Sequence, residues 1–183
     1  MSETADRFAA VAARFTQCVE AVPAEAWNNS SPCAGWTTRD VVRHLVDWVP
    51  GFYSANAGLT FPAGPSVDVD PAGAWAVVCR TLLAALADPE VSAREFDSQA
   101  GRMSVEQSIG MIVTGDVLIH TWDVARATGL DERLDAAEVH GMFEGMQAFD
   151  EILRSSGQFG PRVTVPESAT EQDKLLAFTG RQP

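Results

Sequence analysis

The sequence predicts an all-α fold, a helical bundle with accessory loops and a short C-terminal tail, in one domain over residues 1–183. Four long segments carry apolar residues at the three- and four-residue spacing of amphipathic helices, and convincing alternating strand patterns are absent. A chain of 183 residues that is 46% apolar can bury one full hydrophobic core. Together these observations point to a helical bundle.

The first two helices are predicted in the N-terminal third of the chain. Apolar residues recur at helical spacing over residues 4–22, and Pro23 ends that pattern. After a stretch of turn formers, Thr37 can cap a second helix that carries Asp40 in its first turn. This helix runs to about Tyr53, and its apolar stripe consists of Val41, Leu45, Trp48 and Phe52.

A loop rich in glycine and proline over residues 54–70 separates the second helix from the third. Pro71 is well suited to the first turn of the third helix, which ends at Asp88-Pro89. Residues 91–101 alternate weakly between polar and apolar side chains. This pattern indicates a minor extended segment.

Two further helices and the tail complete the chain. Ser104 is the expected N-cap of a fourth helix over residues 105 to about 128, and Gly129 ends it. A fifth helix, over residues 135–155, carries an apolar stripe of Val139, Met142, Phe143, Met146, Phe149 and Leu153. A last small helix is predicted around residues 170–178.

Charge and composition exclude several classes of function. With 13 basic and 25 acidic residues the net charge is −12, which repels nucleic-acid phosphates and anionic membrane surfaces. The chain has no apolar signal core and no uncharged apolar run of about 18 residues. Cys18, Cys33 and Cys79 form no metal-type Cys-x-x-Cys spacing and favour a reducing compartment. We therefore expect a cytoplasmic protein that binds neither nucleic acid nor membrane.

Two polar residues interrupt the inward face of the fourth helix. Asp116 and His120 are four residues apart, so their side chains can point at the same position in the bundle. Because burying an unpaired carboxylate is costly, an inward Asp needs a cation, an arginine or hydrogen-bond donors. Taken alone, the pair fits a buried Asp–His hydrogen bond, an Asp that faces water at the bundle end, or a metal site.

His44 adds a second imidazole beside the inward stripe of the second helix. With Asp116 and His120 it completes a His/Asp/His set, and three protein ligands with open positions are typical of a catalytic divalent metal. The set suits Zn²⁺ first, and Ni²⁺, Fe²⁺ or Mn²⁺ as alternatives. Asp123 could orient one imidazole from behind, or equally be a solvated charge paired with Arg126.

Other reactive and aromatic side chains are weaker candidates. His140 lies away from the apolar stripe of the fifth helix and is expected to be solvated. Cys33 precedes the second helix, whose positive end could activate a thiol, but a half-buried loop cysteine is the commoner outcome. Trp48 and Trp122 are expected in the core, with a pocket wall as the alternative.

Two motifs together carry a resemblance to a known family. They are Ser31-Pro-Cys-Ala-Gly-Trp-Thr-Thr-Arg-Asp-Val-Val-Arg-His44 and Asp116-Val-Leu-Ile-His120-Thr-Trp-Asp-Val-Ala-Arg-Ala-Thr-Gly. With them the chain resembles the DinB-like, mycothiol-dependent maleylpyruvate isomerase superfamily. It is similar in particular to the short actinobacterial metal-binding proteins made of the N-terminal domain of that isomerase, over nearly its whole length.

The resemblance implies an up-down-down-up four-helix bundle that holds a divalent metal through His44, Asp116 and His120. The isomerase has Glu where this chain has Asp116, whose side chain is shorter by one methylene. The resemblance also implies an enzyme, a thiol S-transferase or isomerase-like protein, that uses the metal to activate a small-molecule thiol such as mycothiol for reaction with an electrophile. The large C-terminal portion of the isomerase is not evident in this sequence.

Two other hypotheses use the same residues. A metal-bound water as nucleophile would make the protein a metal-dependent hydrolase, whereas a metal that serves only stability would leave a non-enzymatic, dimeric bundle. The fourth helix is apolar around much of its circumference, with Met111, Leu118 and Trp122 off the main stripe. A homodimer face would explain this pattern, and packing under the 54–70 loop would explain it equally well.

Overall fold

Helices dominate the structure, a computed structural model that describes residues 2–98, 101–155 and 159–183. In chain order the helices are α1 (Glu3–Glu20), α2 (Thr38–Ala57), α3 (Pro71–Ala87), α4 (Pro89–Ser92), α5 (Val105–Ser108), α6 (Thr114–Thr128), α7 (Ala136–Gln147), α8 (Asp150–Ser155) and α9 (Glu171–Phe178). A 3-10 turn (Ala24–Asn28) follows α1, a π turn (Ile109–Val113) joins α5 to α6, and β1 (Glu95–Ser98) pairs with β2 (Gly101–Ser104). The predicted all-α class is confirmed.

Within the described part of the chain, four helices form a closed ring around the core. Helix α1 packs against α3 and α6, and α2 packs against the same two helices, so α1 and α2 lie opposite each other. The largest fully buried side chains come from all four: Trp75, Trp122, Tyr53, Phe8, Phe15, Leu45 and Leu82. Burial of these apolar faces is the main force that holds the ring together.

Contacts between helices show that α1 and the α5–α6 segment run parallel. Near the start of α1, Arg7 donates a hydrogen bond to the carbonyl of Gly110. Near the end of α1, Cys18 donates to the carbonyl of Thr121. The residue that comes later in α1 contacts the residue that comes later in the α5–α6 segment, so the two segments are parallel.

The other two helices of the ring run in the opposite direction. His44 lies against Asp116, and the hydroxyl of Tyr53, later in α2, lies 2.9 Å from the hydroxyl of Ser108 in α5. Trp75, near the start of α3, contacts Phe15, near the end of α1. The bundle is therefore up-down-down-up, as the family resemblance implies.

The second helix is longer than the sequence predicts. Thr37 caps the helix as expected, and Asp40 completes a capping box with it. Helix α2 continues past Tyr53 to Ala57 and ends at Gly58, whose φ of 64° lies in the left-handed region. Tyr53 and Ala57 are both buried, so the last turn continues the apolar stripe of α2 into the core. The loop before α3 is correspondingly shorter.

The fourth predicted helix is present but contains a π turn. The N–H and the hydroxyl of Thr114 both donate to the carbonyl of Ile109, five residues earlier. The capping box between Ser104 and Gln107 at the start of α5 is present as predicted. The wider turn places one extra residue in the helix immediately before the residues of the candidate site.

The prediction of one continuous helix over residues 135–155 is wrong. The N–H of Phe149 donates to the carbonyl of Met146, three residues earlier, and this tighter turn separates α7 from α8. Two glycines in α7 weaken that helix further. Phe149 is 53% exposed instead of lying on the apolar stripe, whereas Met146 is buried in a small cluster with Leu175 and Phe178 of α9.

The extended segment predicted for residues 91–101 is confirmed in part. Helix α4 occupies its start, and β1 then pairs with β2 in antiparallel register, with Glu95 opposite Ser104. Residues 99 and 100, which the prediction also covered, lie outside the described residues.

The apolar circumference of α6 is largely covered by the chain itself. Leu118 and Trp122 are buried, whereas Met111 in the π turn is 66% exposed. Among the described residues, none of the helices combines the length and the apolar character needed to cross a membrane.

Candidate metal centre

Helices α2 and α6 bring the three predicted ligands together. His44 lies on α2, and Asp116 and His120 lie one turn apart on α6. The Nε2 atom of His44 is 3.2 Å from Oδ2 of Asp116, and Nε2 of His120 is 3.2 Å from Oδ1 of Asp116. The potential ligand atoms of all three residues lie within 4.8 Å of one another, close enough to surround one divalent ion.

The centre is closed on the core side and open to solvent on the other. The side chain of His120 is 5% exposed, whereas those of His44 and Asp116 are 31% and 28% exposed. An ion held here would therefore be anchored at a buried imidazole and approached from the side of His44 and Asp116.

Trp48 fixes the carboxylate of Asp116. One turn beyond His44 on α2, its indole N–H donates to Oδ2 of Asp116 at 2.9 Å. Burial raises the pKa of Asp116, but the charge of His120 and hydrogen bonds from both imidazoles outweigh this effect, so the pKa lies below its ordinary value of 3.8. Asp116 is therefore an anion, the form in which a carboxylate binds a metal.

Asp123 supports the buried imidazole from behind. Its Oδ2 atom lies 2.8 Å from Nδ1 of His120, and its side chain is completely buried. Burial lowers the pKa of His120, but Asp116 and Asp123 outweigh that effect and hold the pKa well above its ordinary value of 6.5. Of the two roles expected for Asp123, the structure thus shows the contact to His120, while Arg126 pairs with Glu132 instead.

Arg181 completes this arrangement from the C-terminal tail. Its Nη2 atom donates to Oδ2 of Asp123 at 2.8 Å and lies 3.4 Å from Sγ of Cys33, which is itself 3.3 Å from Asp123. Burial raises the pKa of Asp123, but His120 and Arg181 outweigh it and lower the pKa to about 2. The sequence analysis did not single out Arg181, because no local pattern links it to a residue 58 positions earlier.

A second set of potential ligands shares His120 with the first. Atoms of Cys33, His120 and Asp123 also lie within 4.8 Å of one another. The guanidinium of Arg181 already supplies the positive charge between Cys33 and Asp123, and a cation placed there would be repelled. The His44, Asp116 and His120 set is therefore the better candidate.

Trp36 is a further residue of the site that the sequence did not identify. In the loop before α2, its ring centre lies 5.1 Å from that of His44 and 6.1 Å from that of His120. Its capacity for stacking gives no periodic signal in the sequence. Trp36 and Trp48 therefore both lie beside His44, and Trp48 is half-buried and packs against the main core, as its first prediction expected.

The remaining candidates lie outside the centre. His140 is exposed and pairs with Glu171, as expected for a solvated residue. Trp122 is buried, and the guanidinium of Arg126 covers its ring at 4.7 Å. Trp122 is thus a core residue.

Comparisons with known proteins identify the family of the chain. The sequence model of the mycothiol maleylpyruvate isomerase N-terminal domain matches residues 8–125, a range that contains all three candidate ligands. An uncharacterized protein of Mycobacterium tuberculosis strain CDC 1551 / Oshkosh and one of strain H37Rv are each 30% identical to this chain over 171 residues, 91% of either length. No solved structure gives a significant match.

Proposed function

Because the chain belongs to the mycothiol maleylpyruvate isomerase N-terminal domain family, we propose that it binds a divalent metal and activates a low-molecular-weight thiol there. The thiol, of the mycothiol type, would be transferred or added to a small-molecule electrophile. His44, Asp116 and His120 are the proposed ligands. Zn²⁺ is the first candidate, and Ni²⁺, Fe²⁺ and Mn²⁺ suit the same imidazole and carboxylate donors.

The observation that carries this proposal is the meeting of two imidazole nitrogens and one carboxylate between α2 and α6. Two imidazoles and one carboxylate are donors that divalent ions commonly have in proteins. Three protein ligands also leave coordination positions for a thiol or water. His120 also has the carboxylate partner on its other ring nitrogen that metal-bound histidines commonly have.

When bound, the metal would lower the pKa of a coordinated thiol and hold it as the thiolate near neutral pH. The residues of the chain have supporting tasks. Trp48 directs the Asp116 carboxylate, and Asp123 accepts the Nδ1 proton of His120, so that Nε2 faces the site and can bind a metal that displaces its proton. The exposed side near His44 admits the thiol and its electrophile.

The test begins with the untagged protein. Purified without a His tag, it should contain or take up about one divalent ion per chain. His44→Ala and His120→Ala should each lower the metal content, whereas His140→Ala, at the exposed histidine, should not. The loaded protein should then conjugate a small thiol to a model electrophile. Intact protein that takes up no divalent metal would overturn the proposal.

Metal-assisted hydrolysis is the second candidate, because the solvent-exposed side of the centre admits water as readily as a thiol. Turnover of a model ester without added thiol would favour hydrolysis over thiol transfer. A protein that binds metal, melts at a lower temperature when His44 is replaced and turns over neither substrate would instead be a metal-stabilised bundle.

A further inference from the structure

The turn after α9 sends one arginine into the buried side of the candidate metal centre. Arg181, in the segment after α9, is only 12% exposed, and its partner Asp123 is completely buried. Its guanidinium contacts both carboxylate oxygens: Nη2 lies 2.8 Å from Oδ2, and Nε lies 3.3 Å from Oδ1. This is the two-point grip that a guanidinium makes on a carboxylate.

The backbone of the turn is built to deliver this side chain. Gly180 has a φ of 90°, a left-handed conformation that other residues rarely adopt. A Cβ atom at Gly180 would lie 2.9 Å from the Cα atom of Gly160, so the two backbones are in close contact. The N–H of Arg181 then donates to the carbonyl of Leu176 and closes the end of α9.

We propose that Arg181 is a positioning residue of the metal centre. It holds Asp123, and Asp123 in turn holds His120 in the orientation in which Nε2 faces Asp116. This inference rests on the proposed metal site. It makes the C-terminal turn, which lies beyond the 8–125 range that matches the family, a working part of that site.

The contacts of Asp123 show how Arg181 fixes the orientation of its carboxylate. Its Oδ2 atom is shared by Nδ1 of His120, Nη2 of Arg181 and the thiol of Cys33. Without Arg181 the carboxylate would keep one strong partner, His120, and could rotate about its own Cβ–Cγ bond. Lysine retains the charge but offers a point contact instead of a planar fork, so it should restore the position of Asp123 only in part.

Co²⁺ binding provides the test, since its visible absorption reports the geometry of the ligands as well as the affinity. We expect Arg181→Met to weaken Co²⁺ binding roughly 10- to 100-fold and to change the spectrum, as loss of a partner behind a ligating histidine does. Arg181→Lys should lie between Arg181→Met and the wild type. In an Asp123→Asn background, Arg181→Met should change the affinity by no more than roughly two-fold, because both residues act through one contact.

Arg154 provides the matched control. It donates to the carbonyls of Gly160 and Phe178 and so holds the same tail in place, without contacting Asp123. Arg154→Met should lower thermal stability yet keep the Co²⁺ spectrum of the wild type. If wild-type protein binds Co²⁺ and Arg181→Met or Arg181→Lys binds it with the same affinity and spectrum, the inference fails. If the wild type binds no Co²⁺, the proposed metal site fails instead.

The double variant also covers the case in which Arg181→Met does not fold. In Arg181→Met/Asp123→Asn no buried carboxylate is left unpaired, so that protein is the less disturbed of the two. If the loss of Co²⁺ affinity in the double variant equals the sum of the losses in the two single variants, the two residues act independently. That result would overturn the positioning role.

Discussion

Asp123 lies 2.8 Å from Nδ1 of His120 and is shielded completely from solvent. This contact places a carboxylate on the far side of the imidazole from Asp116. It keeps a proton on Nδ1 when a metal displaces the proton of Nε2, so Nε2 is the nitrogen that can bind the metal. The two residues lie three positions apart on α6, so one turn of the helix holds both.

Replacing Asp123 with Asn should weaken metal binding while leaving the three ligands in place. Asparagine can still accept a hydrogen bond from Nδ1 but adds no negative charge, and we expect the affinity to fall roughly 10- to 100-fold. Competition with a chromophoric chelator measures this change. Glu132→Gln, which removes the partner of Arg126 on the surface, is the control and should bind metal normally. An unchanged affinity in Asp123→Asn would contradict the prediction.

Trp48→Phe should destabilise the protein by removing the indole N–H that Asp116 accepts. Hydrogen bonds to charged groups contribute about 1.5 to 3 kcal/mol, and we expect a loss of unfolding free energy within or below that range. Urea unfolding with and without added Zn²⁺ measures it. Trp27→Phe, at a tryptophan that lies beneath Arg39 away from the centre, is the matched control. Equal losses of unfolding free energy in the two variants would count against the role of Trp48.

The metal-free protein should lose stability in acid through Asp123. Its folded pKa is about 2, below the ordinary value of 3.8, so its contribution is complete above pH 4 and is lost as the pH falls through the folded value. The difference corresponds to roughly 2 kcal/mol of unfolding free energy. Urea unfolding in EDTA should therefore show the wild type losing this much relative to Asp123→Asn between about pH 4 and pH 2. Parallel pH profiles of the two proteins would contradict it.

The thiols of the buried Cys18 and the half-buried Cys79 should be protected from alkylation. Burial raises the pKa of Cys18 from 9.0 to about 11, although Arg14 partly opposes the shift, and burial also raises the pKa of Cys79. Because the thiolate is the reactive form, Cys33→Ser protein should react much more slowly with iodoacetamide at pH 8 when folded than when unfolded in urea. Mass spectrometry of labelled peptides gives the two rates. Similar rates in both states would refute the protection.

The helices and the three candidate ligands could be predicted because their signals are local. Asp116 and His120 are one helical turn apart, and His44 lies beside a stripe whose period is visible in the sequence. A glycine and a capping box likewise identified the ends of helices. The sequence predicts an end of α2 near Tyr53 because residues 54–57 add only one buried residue, the small Ala57, to the apolar stripe.

The features that escaped prediction depend on contacts between distant segments or on small differences in backbone bonding. Arg181 meets Asp123 across 58 residues, and Trp36 faces two imidazoles from a loop. In the π turn the N–H bonds to the carbonyl five residues earlier instead of four. Residues 109–113 are apolar on every side, so their pattern carries no sign of this difference. The break at Phe149 similarly follows from one turn that tightens at the end of α7.

The contact between Arg181 and Cys33 closes a loop of 148 residues. Contacts between distant positions are entropically expensive to form and are made late in folding, after local helices and neighbouring pairs. The imidazoles of His44 and His120 can thus meet once α2 and α6 have packed, whereas the contact of Arg181 with Asp123 also requires the segment after α9 to dock. The ring of α1, α2, α3 and α6 can therefore be complete before Arg181 holds Asp123.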